Sequence, residues 1–418
     1  MTVTFDSKSN QQTFNAEEQL LLCCSRTNPD SKALNRIRTL ATQSIDWKLL
    51  LQTAALHGVL PLLHLSLRKA GVLSIPSAVW NDLGNRVRGV ARHNFFLMAE
   101  LIKLTRDFEN HGIASIAFKG PVLAACAYGD VTLRQFGDLD IAVRRDDIPQ
   151  ASKLILSHGY QSTSDGSAGA DPHEVEDAHV AFLGPSFYYF CRPDGRSDVD
   201  LQWRVAEEYF SFSLDREDLW RRLVPVSVGG KTIQTFAPTN MLLILCVHGS
   251  KHRWEKLKWV CDVAELVRAQ KSAIDWEQLR ETASLQRVQR MVSLGLFLAE
   301  DLLEADLPEE ISQQVRSDRS IRWLARRIRQ QLLLQAGRPP GKLNRITFYL
   351  RAKDRWQDRV RFCLRYTGQA VLASFVPTSI ERTLMPLPRR LSFLYFVIRP
   401  ARLLRKYGSL MLMRKAHK

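Results

Sequence analysis

No apolar run in this chain approaches the roughly 18 to 20 residues that a membrane-spanning helix needs. The longest candidates, Ala370–Val376 and Leu391–Ile398, are far shorter, so the chain is expected not to cross a bilayer. Its first eighteen residues have neither an apolar h-region nor a basic start, which argues against a secretory leader and for a cytoplasmic protein. Cys-x-x-Cys is absent as well. Seven cysteines are scattered, and an odd number cannot all pair within one chain, so they read as reduced, mostly buried thiols. What is present is enough apolar sequence, 45% of 418 residues, for two or three packed domains.

Charge is unevenly spread. From Ile311 to Lys418, 25 Lys and Arg stand against four acids, giving +21 where the whole chain carries +16. The sequence before it is therefore slightly acidic, and two bodies with different electrostatic roles are indicated.

Periodicity divides the chain further. Helical patterns run over Glu17–Ser25, from Asp46-Trp47 to Val59, and over Trp80–Phe108, closing near His111-Gly112. From Ile113 the period changes. Ile113–Phe118 reads as a strand, followed by Lys119-Gly120-Pro121 and a helical run to Tyr128-Gly129. Then come a strand at Leu139–Val143, a helix at Ile148–Ser157, a Gly/Ser-rich loop from Ser162 to Ala170, and short strands at His179–Leu183, Phe187–Cys191 and Asp198–Trp203. Helices resume from Pro238. The boundaries expected are 1–110 helical, 111–235 a small mixed β-sheet core, 236–310 helical and 311–418 basic and helical, an α+β chain. Ile45-Asp46-Trp47 and the twelve residues after it match the stretch from Ile274-Asp275-Trp276 at eight of fifteen positions. A shared way of starting a helix, with Asp at the N-cap, and a pair of related helical units are both open readings.

Three pieces carry chemistry: Phe118-Lys119-Gly120, Arg134 leading to Asp138-Leu139-Asp140, and Asp198-Val199-Asp200. Alternation along a strand puts Asp138 and Asp140 on one face, where oxygen ligands suit Mg²⁺ or Mn²⁺. Asp200, from a neighbouring strand, is the choice for a third carboxylate, completing a two-metal clamp for attack on phosphorus. Asp198 is the lesser candidate. Gly120, where strand passes to helix, forms a phosphate seat, with Pro121 suited to the first helical position and Lys119 or Arg134 neutralising phosphate charge. His248 and His252 share a helix face beside Lys251, Arg253 and Lys256, which favours a basic helix near nucleotide or acceptor over buried structural histidines or zinc. His179 reads as a core histidine. Asp262, among apolar neighbours, needs a partner, for which Lys251, Arg253 or Lys256 is expected.

Together these motifs resemble the uncharacterised bacterial nucleotidyltransferase family of the DNA polymerase beta-like superfamily. The likeness also draws on Tyr128-Gly129, His158-Gly159-Tyr160, Val199–Trp203, His248, His252, Trp254, Leu257, Trp259 and Asp262, and covers about residues 35 to 305. It implies a nucleotidyltransferase core that moves a nucleoside monophosphate from a nucleoside triphosphate to an unidentified acceptor, with Asp138, Asp140 and Asp200 as metal ligands. It also suggests work beside surface-polysaccharide or peptide natural-product pathways. Two departures stand out: Pro121 where the superfamily commonly has Gly or Ser, and Gln202 where the family often has His. They support a rival, a phosphate- or nucleotide-binding protein of the same fold without turnover. The Arg-rich C-terminal region supports another, an RNA-directed transferase or binder, or peripheral contact with an anionic inner-membrane surface.

Overall fold

The computed structural model describes residues 14–162, 187–203, 217–334 and 342–375, together with 391, 394–400 and 402. Their contacts form two units, one of residues 1–162 and 186–354 and the other of 163–185 and 355–418. The expected Ser162–Ala170 loop, apart from Ser162, and the His179–Leu183 strand lie outside the described residues.

The first unit begins with four short helices. α1 (Ala16–Cys24) opens on a capping box: Asn15 accepts the Glu18 amide at 2.8 Å, and Glu18 accepts the Asn15 amide at 3.0 Å. α2 (Ser31–Ala41), α3 (Trp47–Leu56) and α4 (Leu60–Ala70) follow, and then the 34-residue α5 (Ser77–Asn110). Leu97, Leu101, Leu104 and Phe108 recur at helical spacing on α5 and form the floor on which the sheet rests.

β1 (Ser115–Ala117) leads through Lys119 into α6 (Gly120–Leu123), a single turn that runs on as a π-helical turn to Tyr128. β2 (Asp138–Val143), α7 (Ile148–Ser157), β3 (Gln161–Ser162), β4 (Phe187–Cys191) and β5 (Asp198–Gln202) complete a five-stranded mixed sheet of order β1-β2-β5-β4-β3. Only β2 and β5 pair in parallel; the other neighbours are antiparallel. β1 and β5 are shorter than the sequence pattern suggests, β2 is one residue longer and β4 matches it, while the two-residue β3 lies where the pattern passes from a helix to a loop.

After α8 (Glu217–Arg221), β6 (Leu223–Val228) and β7 (Lys231–Phe236) form a hairpin that the pattern reading passes over. α9 (Pro238–Lys251), α10 (Leu257–Gln270), α11 (Trp276–Leu285), α12 (Gln289–Leu303), α13 (Glu309–Ser317), α14 (Arg319–Leu334) and α15 (Lys342–Ala352) finish the unit. The α9–α10 turn is pinned by the fully buried Trp254. A Cβ on Gly249 would stand 2.5 Å from its ring and one on Gly295 3.0 Å from it, so both glycines are places of close approach. In the second unit, α16 (Trp356–Phe375) is one 20-residue helix. No described helix is long and apolar enough to cross a membrane, and all seven cysteines are free thiols.

The echoed segments α3 and α11 are alike from end to end. Asp46 accepts the Leu49 amide and Asp275 the Gln278 amide, each at 2.9 Å. Each helix closes on a left-handed residue, Gly58 or Arg287, with the next amide returning 2.9 Å to Ala54 or Ala283.

Candidate active site

The alternation Asp-Leu-Asp-Ile-Ala-Val in β2 sends Leu139, Ile141 and Val143 into the core against α5 and leaves Asp138 and Asp140 on the opposite face. β5 repeats the pattern, with Val199 and Leu201 buried. Its parallel register sets Asp198 beside Asp138 and Asp200 beside Asp140. One carboxylate oxygen from each of Asp138, Asp140 and Asp200 lies within 4.8 Å of the others. Asp198 stays out of this group: it is hydrogen-bonded with Tyr189, and burial raises its pKa.

Such a cluster is repulsive unless a cation neutralises it. Asp140 is 4% exposed. Burial raises its pKa, Lys119 opposes the rise and Asp138 adds to it. Lys119 Nζ at 2.5 Å and Gln202 Nε2 at 2.7 Å both donate to Asp140 Oδ1, and among the described residues no donor reaches Oδ2. Asp200 is pushed well above the usual carboxylate range by burial and then by the charges of Asp140 and Asp138, with Lys119 and Lys251 opposing. The carboxylates of Asp138 and Asp200 accept no hydrogen bond from the described residues. Three converging hard oxygen ligands with one lysine among them fit a divalent cation of the Mg²⁺ class.

The chain belongs to the uncharacterised nucleotidyltransferase family, whose model matches residues 43–304. No curated protein matches the chain. The match spans the triad and every helix packed around it from α3 to α12, so membership covers the site as well as the fold. It makes nucleotidyl transfer the chemistry in question and a divalent metal its usual companion.

In this nucleotidyltransferase family member the other expected site residues take distinct places. Gly120 has φ +51°, and a Cβ there would come 3.3 Å from the Asp138 carbonyl, so the turn packs against the strand that carries the triad. The helix after it is only a single turn, with Pro121 buried inside it. Arg134 faces Asp262 instead of open solvent. Its Nε donates to Oδ1 at 2.7 Å and its Nη2 to Oδ2 at 2.9 Å, while the Tyr128 hydroxyl donates to Oδ1 at 2.7 Å. The partner of Asp262 is thus not Lys251, Arg253 or Lys256, as its helical neighbourhood suggests. Arg253 instead turns to Glu255 and Tyr349. The buried Asn94 donates to the Val131 and Arg134 carbonyls at 2.7 and 2.8 Å and holds the loop leading into β2.

His248 and His252 form a ring cluster with Trp259, with centroids 4.7 to 5.8 Å apart. Burial pulls both imidazoles well below their ordinary pKa. Lys119 is the foremost charge acting on His248, and Lys251 the foremost on His252. Both rings therefore favour the neutral form, and the cationic groups acting on them are Lys119, Lys251, Lys256, Lys258 and Arg253.

The unneutralised triad makes one outcome specific. Asp200 has a raised folded-state pKa, so its stabilising contribution belongs to the protonated form and is lost as pH rises through that pKa. Asp200→Asn keeps the shape and removes the charge. Differential scanning fluorimetry in EDTA at pH 7.5 is expected to show a higher melting temperature for this variant, by roughly 2–4 °C for each kcal/mol of repulsion relieved. Mg²⁺ is expected to raise that of the unaltered protein more. A lower melting temperature for the variant in EDTA would contradict the electrostatic account.

Proposed function

We propose that this chain transfers a nucleoside monophosphate from a nucleoside triphosphate to an acceptor hydroxyl, with Asp138, Asp140 and Asp200 holding Mg²⁺ or Mn²⁺. The observation that carries the reading is the convergence of three carboxylates from two parallel strands within 4.8 Å, inside a nucleotidyltransferase family match. A divalent cation at this place supplies a Lewis acid for the phosphoryl oxygens and makes the acceptor oxygen a better nucleophile. The acceptor oxygen bonds to the α-phosphorus as the bond from that phosphorus to the pyrophosphate leaving group breaks.

Asp200, beside Asp140 on the neighbouring parallel strand, takes the acceptor's proton. Lys119 and Gln202 orient Asp140 by gripping one oxygen, so that the other would be free to hold a cation. Gln202 thus supplies a hydrogen-bond donor where the family often has histidine, which weighs against the binding-only reading. Gly120 brings the turn close to Asp138, and the His248–His252–Trp259 cluster provides neutral ring faces for the nucleoside. Arg134 serves the nucleotide through position, by fixing the loop before β2.

Contact of the basic C-terminal region with an anionic surface remains a second reading for the acceptor side. It is favoured by Arg319, Arg322, Arg326 and Arg327 on the solvent face of α14. The experiment for the main reading is incubation of the protein with Mg²⁺, each α-labelled triphosphate and cell extract. Transfer of label to a macromolecular or lipid fraction supports it, and unchanged triphosphate in every reaction overturns it.

A further inference from the structure

A helix of a globular unit ordinarily turns one apolar stripe inward. α16 carries two. Asp358 and Phe362 are buried, and the Phe362 and Tyr366 rings stack with centroids 5.6 Å apart, so positions 358, 362 and 366 make the inward face. Trp356, Val360 and Leu364 repeat at the same spacing on the opposite side, about 200° round the helix, and they are 69%, 47% and 67% exposed. Six of the fourteen exposed large hydrophobic side chains among the described residues fall between positions 356 and 397, Phe396 and Val397 among them. Scattered singly such residues are ordinary; gathered in one short stretch they mark a contact surface.

The rims of the stripe are basic. Arg359 and Arg361 flank Val360 in sequence and so stand about 100° to either side of it. Arg361 is 59% exposed and comes no nearer than 4.0 Å to Asp358. Asp358 is the one acid of α16, and it lies on the buried face. Over residues 355–418, 14 Lys and Arg stand against Asp358 and Glu381, a net charge of 14 − 2 = +12.

This charge decides the occupant. A second copy would bring an equally cationic surface against the first. A nucleic acid would satisfy the arginines and leave Val360 and Leu364 in water. An anionic bilayer supplies both partners, with headgroup phosphates for the arginines and acyl chains for the stripe, and the amphipathic indole of Trp356 suits the boundary between them. No described helix can cross a membrane, so α16 would lie along the surface.

We propose that α16 docks this protein on anionic lipid bilayers, with Trp356, Val360 and Leu364 entering the boundary between headgroups and acyl chains and Arg359 and Arg361 held at the phosphates. The proposal goes beyond contact of the α14 arginines with an anionic surface, because it adds an apolar anchor that salt does not screen. It stands independently of nucleotidyl transfer.

The test is flotation of the full chain with phosphatidylcholine vesicles, with and without phosphatidylglycerol. The unaltered protein is expected to float with the anionic vesicles and to remain partly bound in high salt. Val360→Asp/Leu364→Asp, at exposed positions, is expected to keep its circular dichroism spectrum and its label transfer, to partition at least about tenfold more weakly, and to lose its residual binding in high salt. Arg359→Gln/Arg361→Gln is expected to bind anionic vesicles about tenfold more weakly and neutral ones unchanged. The proposal is overturned if the unaltered protein stays unbound on anionic vesicles, or if the Val360→Asp/Leu364→Asp protein floats as well as the unaltered one. A dimer in sedimentation velocity that this variant dissociates also overturns it, in favour of a second copy. Each of these results leaves the nucleotidyltransferase reading to its own label-transfer assay.

Discussion

The Asp138→Asn/Asp140→Asn protein, given Mg²⁺, an α-labelled nucleoside triphosphate and cell extract, is expected to transfer label at least about a thousandfold more slowly than the unaltered chain. A bound divalent cation contributes several kcal/mol to the transition state of phosphoryl chemistry, and each 1.36 kcal/mol is a factor of ten in rate, so losing ~4 kcal/mol gives that size. Asparagine is the informative replacement. Alanine at position 140 would strip Lys119 of its ion pair and leave a buried ammonium alone, mixing a folding defect with a chemical one. An amide oxygen still accepts from Lys119 or Gln202, so the double variant should keep its circular dichroism spectrum while losing transfer. Transfer at the normal rate would remove the triad from the mechanism.

Arg134→Met is expected to destabilise the protein by about 3–5 kcal/mol, the range for removing one partner of a buried ion pair. Arg134 and Asp262 are 5% and 2% exposed and meet through two hydrogen bonds. Without the guanidinium, only Tyr128 remains to satisfy the carboxylate. Urea unfolding followed by tryptophan fluorescence measures the loss, and the companion Arg134→Met/Asp262→Leu variant should recover most of it by removing the orphaned charge. The alternative, a guanidinium reserved for phosphate, predicts unchanged stability with weakened nucleotide binding. That result would reverse the assignment.

The triad was legible in the sequence because strand alternation is local: Asp138 and Asp140 two residues apart must share a face, and the Val-Asp-Leu run of β5 carries the same signature. Helix positions were legible for the same reason, since a stripe such as Leu97, Leu101 and Leu104 repeats every turn. The β6–β7 hairpin was legible too, in the Gly229-Gly230 pair between alternating runs, although the pattern reading passed from β5 to Pro238 without it. Contacts across long separations were not. Arg134 and Asp262 lie 128 positions apart, and nothing near Asp262 distinguishes that arginine from the lysines closer in sequence. The neutral state of His248 and His252 was hidden likewise. Their flanking lysines read as a basic face, whereas burial, a tertiary property, sets their charge.

His57 joins three distant parts of the chain through one imidazole. Its Nδ1 accepts the Leu257 amide, and its Nε2 lies 2.7 Å from the Leu332 carbonyl, so it is the neutral tautomer with the proton on Nε2. The strut at the start of α10 is complete only when residues 57, 257 and 332 are all in place. A fragment of residues 111–235 would therefore lack the brace at the start of α10, and during synthesis that brace can close only after Leu332 has left the ribosome.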